Sequence, residues 1–286
     1  MSATLKKLLM LSLALVLSFS LVAFVGCKEQ LPQDEIDRII ADAETANYDT
    51  VSFDVDMPMT VEAEGGSDPG TVIVDISGTG SMDIVNQAMQ MTMDMGMNMM
   101  GESQDMSAEV YILDGWMYTG VVISGMGEQW VKSAMTEALW QEQDQVNQYT
   151  ELLATAVEVK YKGTETVNGI ECYVFEIEPD MDTLGALLTE ETASMGAMNL
   201  SGLDLEQLYK ELSVKEWLAK DGCRLQRAEV VIVMELRPED VGASSDDFEK
   251  MTIGISMIMR FYAYGQPLNV VLPPEALAAE ETPLEQ

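Results

Sequence analysis

Residues 88–100 read AMQMTMDMGMNMM, with methionine at every second position from Met89 to Met99. Period two is the repeat of a β-strand, in which successive side chains point to opposite faces of the sheet. One face of the predicted strand is therefore all methionine and consists of Met89, Met91, Met93, Met95, Met97 and Met99. The other face carries Gln90, Thr92, Asp94, Gly96 and Asn98. Six adjacent thioethers make an apolar patch that a monomer rarely exposes, so something must cover them.

Strand patterns precede the methionine stretch. Apolar residues alternate at 53–61 and again at 72–84, which predicts two strands. Pro58 predicts an edge position or a bulge in the first strand, because proline lacks the N–H that a central strand needs. Gly78 and Gly80 predict a bend in the second strand.

Further strands follow the methionine stretch. GESQD at 101–105 has the composition of a turn. EVYILDGWMYTGV at 109–121 then predicts two short strands joined at Asp114-Gly115, since Asp-Gly is a strong hairpin signal. Together with the preceding strands, this predicts an antiparallel meander.

The second half of the chain mixes helices with hairpins. Helical spacing of apolar residues occurs at 34–47, at 134–156 and, in two pieces, at 182–212. Hairpin turns are predicted at Asn168-Gly169 and Asp221-Gly222, and a last strand within 251–265. The order predicts an α+β fold, in which one large curved antiparallel sheet, a half β-barrel, has helices covering its concave face.

The N-terminus has the pattern of an export signal. Lys6 and Lys7 precede an uncharged apolar run at 8–25, and Gly26 stands directly before Cys27. A cysteine at this position resembles the lipobox of bacterial lipoproteins, in which the thiol receives a diacylglyceryl group and the peptide is cut before the cysteine. Phe24 stands where the lipobox usually has Leu. The alternative is an uncleaved anchor, because the apolar run approaches the length of a spanning helix.

The lipobox interpretation divides the chain into four parts. Residues 1–26 are a lipoprotein signal peptide, 27–33 a lipidated tether, 34–277 a single domain and 278–286 an acidic C-terminal tail. We expect an exported protein, anchored by lipid on Cys27 to the outer face of the cytoplasmic membrane or to another envelope membrane. Two or more acyl chains on one residue would hold it there stably.

Composition excludes several classes of function. The chain has 15 Lys and Arg against 49 Asp and Glu, a net charge of −34, which repels nucleic acids and anionic lipid headgroups. It has no histidine, which excludes Ser-His-Asp and Cys-His nucleophiles and the common zinc sites. Carboxylate pairs such as Asp180 with Asp182 do not sit in a calcium-binding loop. We therefore expect no catalytic residue, no cofactor and no metal site of these types.

Two cysteines remain after Cys27. Cys172 and Cys223 both lie in predicted strands, on the faces opposite the apolar side chains. Cysteines on the same face of neighbouring strands can form a cross-strand disulfide, which suits an exported protein. The alternative is a pair of free thiols.

The chain resembles the LolA/LppX/LprG-like lipoproteins of bacterial envelopes. The matching pieces, in order, are SFDVDM (52–57), EVYILDGWMYTG (109–120), EQWVK (128–132), NGIECYVFEIEP (168–179), EWLAKDGCRLQRAEV (216–230) and YGQPLNVVLPPEAL (264–277). The resemblance implies a half-open barrel whose concave side, capped by helices, holds acyl chains. Some members carry lipids or lipoproteins between membranes, and the family has no catalytic motif.

Three roles are open for the methionine face. It is part of an ordinary core, the wall of a lipid cavity, or a set of soft thioether ligands for Cu(I). We expect a membrane-anchored, non-catalytic lipoprotein that binds a lipid or an acylated molecule. A structural or protein-interaction lipoprotein with a filled core is the alternative, and Cu(I) binding is the third possibility. Protein partners are not indicated by the sequence.

Overall fold

The computed structural model describes residues 30–46, 48–66, 69–99, 102–125, 127–141, 143–179, 208–238 and 248–281. The predicted signal peptide, Cys27 and most of the helical segment predicted at 182–212 lie outside the described residues. Every described helix and strand lies within 33–281.

The described residues form one sheet of twelve strands. Their bounds are β1 Thr50–Glu64, β2 Gly70–Asp83, β3 Ala88–Met99, β4 Glu102–Leu113, β5 Trp116–Ile123, β6 Gly127–Ala134, β7 Glu158–Val167, β8 Ile170–Glu178, β9 Tyr209–Ala219, β10 Leu225–Leu236, β11 Lys250–Tyr262 and β12 Glu280–Glu281. The spatial order is β12-β6-β5-β4-β3-β2-β1-β11-β10-β9-β8-β7. Two meanders, β1 to β6 and β7 to β11, therefore meet where β1 pairs with β11. The predicted large curved antiparallel sheet is confirmed; β12, which pairs parallel to β6, is the exception.

Four described helices accompany the sheet. They are α1 Gln33–Glu44, α2 Glu137–Gln141, α3 Gln145–Ala154 and α4 Pro274–Leu277. Ile36 and Ile39 of α1 and Leu152 and Leu153 of α3 are buried in one cluster with side chains from the sheet. We call the sheet face that these helices contact the concave face.

The predicted helix at 134–156 is divided into two. β6 extends to Ala134, and α2 ends at Gln141. Asp144 then begins α3, its carboxylate accepting the backbone N–H of Asn147 at 3.1 Å. Aspartate favours this N-cap position, because it pairs an N–H that the helix leaves free.

The predicted hairpin turns are confirmed. Asp114 and Gly115 have φ angles of 53° and 77°, and Asn168 and Gly169 have 50° and 84°. Positive φ at both central residues matches the right-handed twist of the flanking strands, and these residue types tolerate it.

Three local predictions were wrong. Pro58 is in a central strand. Met57 and Pro58 are not paired with β11, but pairing resumes at Met59 in the same register, without a bulge. β4 already includes residues 102–105, which the sequence predicted as a turn. Residues 209–212, predicted as helix, begin β9. In each case pairing with neighbouring strands outweighed the local preference of the residues.

Candidate ligand-binding face

The methionine strand has the predicted alternation, and its methionines lie on the concave face. Met89 is opposite Met82 of β2 and Ile112 of β4, and all three are buried in the main core. The next four methionines along the strand, Met91, Met93, Met95 and Met97, are only half-buried. The side chain of Met99 lies outside the described residues. The strand therefore runs from a closed core toward a less covered region.

The closed end is filled by protein. Trp140 of α2 and the apolar sides of α1 and α3 lie in the same buried cluster as Phe53 and Met82. Tyr149 of α3 packs edge-on against Phe261 of β11, with ring centroids 6.4 Å apart. This end of the concave face is an ordinary core.

The less covered end is an apolar surface across several strands. Met95 is opposite Ile76 on one side and Met106 on the other, and all three are half-buried. The surface continues onto β1 and β11, where Met59 is opposite Ile255. Met106 of β4 and Met257 of β11 were not among the wall residues predicted from the sequence. The alternation of MTIGISMIMRF at 251–261 was the signal that would have added the latter.

Glycines let the concave face pack closely at its centre. A Cβ at Gly80 would lie 2.4 Å from Cζ of Phe53, so the phenyl ring lies directly over the glycine. Gly78 is similarly close to the side chains of Val55 and Met93, at 3.3 and 3.1 Å from its hypothetical Cβ. These two glycines allow close packing between strands, and the bend in β2 stays a prediction.

The convex face of the sheet carries the ionic interactions between β1 and β11. Asp56 of β1 accepts a 2.6 Å hydrogen bond from Arg260 of β11, and Asp54 accepts one of 2.8 Å from the hydroxyl of Tyr262. Lys250 is 3.0 Å from Glu64. The predicted polar residues of β3 also lie on this side. An opening of about 390 Å³ near Met95 is lined mainly by convex-face residues, including Asp94 and Asp105, and is not the predicted cavity.

One carboxyl group departs from this segregation. Glu216 of β9 lies between Phe175 of β8 and Ala228 of β10, both members of the main core, and its exposed fraction is 0 %. Neither carboxyl oxygen has a hydrogen-bond partner among the described residues. Burial raises the pKa of Glu216 well above its ordinary value, which favours the neutral acid. Glu216 was not predicted from the sequence as a site residue.

The cysteines are separate free thiols in the structure, in contrast to the predicted disulfide. Cys172 lies in a small cluster with Val174 and Trp217, apart from the main core, and burial raises its pKa to about 11. Cys223 lies in the turn between β9 and β10 with φ 49°, and its side chain belongs to the main core. The prediction assumed that Cys223 was in a strand, but the turn directs its thiol to the other side of the sheet.

The described part of the chain contains no group of three or more His, Cys, Asp or Glu side chains that would hold a metal ion. Methionine thioethers are not among these ligands, so Cu(I) binding by methionine stays a prediction. None of the described helices has both the length and the apolar character needed to cross a membrane.

Comparison with known families gives one match over most of the chain. The profile described as "Family of unknown function (DUF6612)" matches residues 35–281. The chain belongs to this family. The match includes β12, so the family region extends four residues beyond the predicted end of the domain at 277. No curated protein matches the chain.

Solved structures with a similar course of the chain include two mycobacterial proteins. The lipoprotein LppX of Mycobacterium tuberculosis is 13% identical, with a TM-score of 0.43, and the match covers 84% of this chain and 100% of that one. LprF of Mycobacterium bovis is 15% identical, with a TM-score of 0.43 and coverage of 86% and 99%. A DUF1329 family protein of Desulfovibrio piger is 10% identical, with a TM-score of 0.27 and coverage of 84% and 95%. The predicted resemblance to LppX-like proteins is confirmed to this extent.

Proposed function

We propose that this protein is a membrane-anchored, non-catalytic envelope lipoprotein that binds a lipid or an acylated molecule on its concave face. The observation that carries the proposal is the half-buried apolar surface around Met93, Met95 and Met106. Side chains at this end are less covered than Met82 and Met89 at the closed end, whose exposed fractions are 2 % and 3 %.

The hydrophobic effect gives this surface an affinity for acyl chains. Full burial of one methionine side chain contributes about 1.5–3 kcal/mol, and a half-buried one leaves part of that gain unrealised. An acyl chain lying along β3 would cover several such side chains together. Methionine is flexible and polarisable, so a wall built from it adapts to chains of different shape.

The lipid on Cys27 supplies the membrane attachment in this proposal. Removal of residues 1–26 takes away Lys6 and Lys7 but no acid, which leaves the rest of the chain still more negative. Such a surface is repelled by anionic headgroups, so attachment needs an anchor that does not depend on charge. Labelling cells with a radioactive fatty acid tests this: we expect label on the wild type and none on Cys27→Ala. Label that persists in the variant would contradict the anchor.

The second candidate is a structural or interaction lipoprotein with a filled core. The closed end of the concave face, where α1, α2 and α3 fill the space over Phe53 and Met82, is the observation that favours it. The two candidates differ in whether the half-buried end takes up a ligand.

A matched pair of variants tests the ligand proposal. Met93 and Thr92 are neighbours in β3 that face opposite sides of the sheet, so Met93→Asp and Thr92→Asp add the same charge to different faces. The chain from Lys28 onward keeps every described element and is to be purified without detergent, incubated with monoolein and recorded by native mass spectrometry. We expect bound lipid in the wild type and in Thr92→Asp, but much less in Met93→Asp. Equal lipid uptake by the two folded variants would contradict binding on the concave face.

A further inference from the structure

Among the described residues, neither carboxyl oxygen of Glu216 has a hydrogen-bond partner, although buried polar groups normally have one. Its cross-strand neighbours are Phe175 and Ala228, and its neighbours on the same face of β9 are Val214 and Leu218. All four are apolar and buried in the main core. Buried polar side chains in folded proteins are almost always hydrogen-bonded, so a carboxyl with two unpaired oxygens calls for a functional or structural reason.

The position of Glu216 relates it to the methionine face. Cross-strand pairing runs from Glu216 through Ala228, Met259, Val55 and Gly78 to Met93. Paired residues share a face of the sheet, so Glu216 and Met93 lie in one row across the concave face. Glu216 is the only ionisable side chain in this row. An acyl chain that lies against Met93 and follows the row would place its polar end near the Glu216 carboxyl.

We propose that Glu216 is the polar anchor of the ligand site, and that its neutral carboxyl hydrogen-bonds an uncharged hydroxyl, ester or amide group of an acyl lipid. This inference rests on the proposed function. A neutral carboxylic acid both donates and accepts a hydrogen bond, so it matches a group that does the same or presents a carbonyl. A pocket of apolar side chains keeps such an acid neutral at physiological pH.

The distribution of charge favours an uncharged headgroup over a phosphate. No Lys or Arg occurs between Arg38 and Lys132, the segment that contains β1 to β5. In the other half of the sheet, Lys215, Arg227 and Arg260 alternate with core residues and lie on the convex side. These three cations, which flank the row of Glu216 among the described residues, therefore cannot neutralise an anionic group on the concave face, whereas an uncharged group bound to Glu216 requires no cation.

The cover over Glu216 predicts how the headgroup enters. Its carboxyl is fully buried, and α3 contacts β10, the strand that supplies Ala228. A headgroup must therefore pass between the helices and the sheet to reach the carboxyl. The fold holds the site closed until a ligand opens it.

Two probes of similar apolar length separate the anchor from the apolar surface. Monoolein presents an ester and hydroxyls, while octadecene has no hydrogen-bonding group. Affinities for both probes are to be measured with the chain from Lys28 onward, as the wild type and as the variants Glu216→Leu and Glu216→Gln. The control is Val230→Ile, which changes a neighbouring core residue but keeps the Glu216 carboxyl. We expect Glu216→Leu to bind monoolein about tenfold more weakly, as expected for one lost hydrogen bond, and octadecene unchanged. Glu216→Gln, which also donates and accepts, should stay within about threefold of the wild type.

The outcomes distinguish failure of the anchor from failure of the proposed function. If the wild type binds both probes and Glu216→Leu leaves their affinity ratio unchanged, Glu216 is not an anchor and the apolar site stands. If the wild type binds neither probe, the proposed function and the anchor both fail.

Infrared difference spectra of the wild type provide a test that does not depend on the folding of a variant. The carbonyl stretch of a protonated carboxyl should shift on adding monoolein and stay unshifted with octadecene; an unshifted band with bound monoolein would overturn the proposal.

Discussion

Glu216 links the stability of the fold to pH. Burial raises its pKa in the folded state, whereas the unfolded chain releases the proton near pH 4.5. Above that pH the folded state holds a proton that the unfolded state has lost, so the free energy of unfolding falls as pH rises toward the folded-state pKa. The decline is at most about 1.4 kcal/mol per pH unit.

Urea unfolding of the wild type and Glu216→Gln from about pH 4 to about pH 8 measures this effect. The many surface carboxylates titrate in both proteins and cancel in the difference. We expect the wild type to lose stability relative to Glu216→Gln as pH rises. A difference that does not change with pH would show that Glu216 is not held neutral by the fold.

Gly80 should tolerate a side chain poorly. A methyl group there would meet the ring of Phe53 at 2.4 Å, and overpacking of this kind costs about 1–3 kcal/mol. Gly96 is the matched control, because the nearest atom to its hypothetical Cβ is Oδ1 of Asp105, at 3.7 Å. Urea midpoints should fall for Gly80→Ala and stay nearly constant for Gly96→Ala; equal midpoints would contradict the packing described at Phe53.

At the scale of elements, Asp144 caps the start of α3 and links it to the connection between α1 and β1. Its carboxylate accepts the N–H of Asn147 and, at 2.5 Å, the hydroxyl of Tyr48, whose pKa is raised by burial and by Asp144. Asp144→Ala should lower the free energy of unfolding by about 1–2 kcal/mol, and Asp144→Asn should restore most of it, since asparagine also caps helices. Thermal unfolding compares the two. An alanine variant as stable as the wild type would mean that α3 is held by packing alone.

Elements with a strong local signal were predictable from the sequence. β3 followed from its period of two, and the hairpin turns followed from Asp-Gly and Asn-Gly pairs, because both signals lie within a few residues. Pro58, the strand at 102–105 and the turn at Cys223 were not, because each depends on which strand lies beside it. Glu216 shows the same limit: VKEWLAK has apolar residues on both faces of the strand, and only the position of Glu216 between β8 and β10 buries it.

At the scale of the whole molecule, charge works against the compact state. A net charge of −34, with no Lys or Arg between Arg38 and Lys132, leaves the acids of β1 to β5 with few partners. Salt screens their mutual repulsion. The thermal midpoint should therefore rise from about 0.05 M to about 0.5 M NaCl. A midpoint that falls over this range would mean that ion pairs such as Arg260 with Asp56 contribute more than the repulsion costs.

The central claim is that the less covered end of the concave face binds an acyl lipid. Methionine methyl groups report on this face directly, so a chain labelled with ¹³C-methyl methionine is to be titrated with monoolein and observed by NMR. We predict saturable shifts of Met93, Met95, Met97 and Met106, with Met82 in the closed core unchanged. Resonances of those four residues that do not respond at saturating lipid would contradict the account and leave a filled-core lipoprotein.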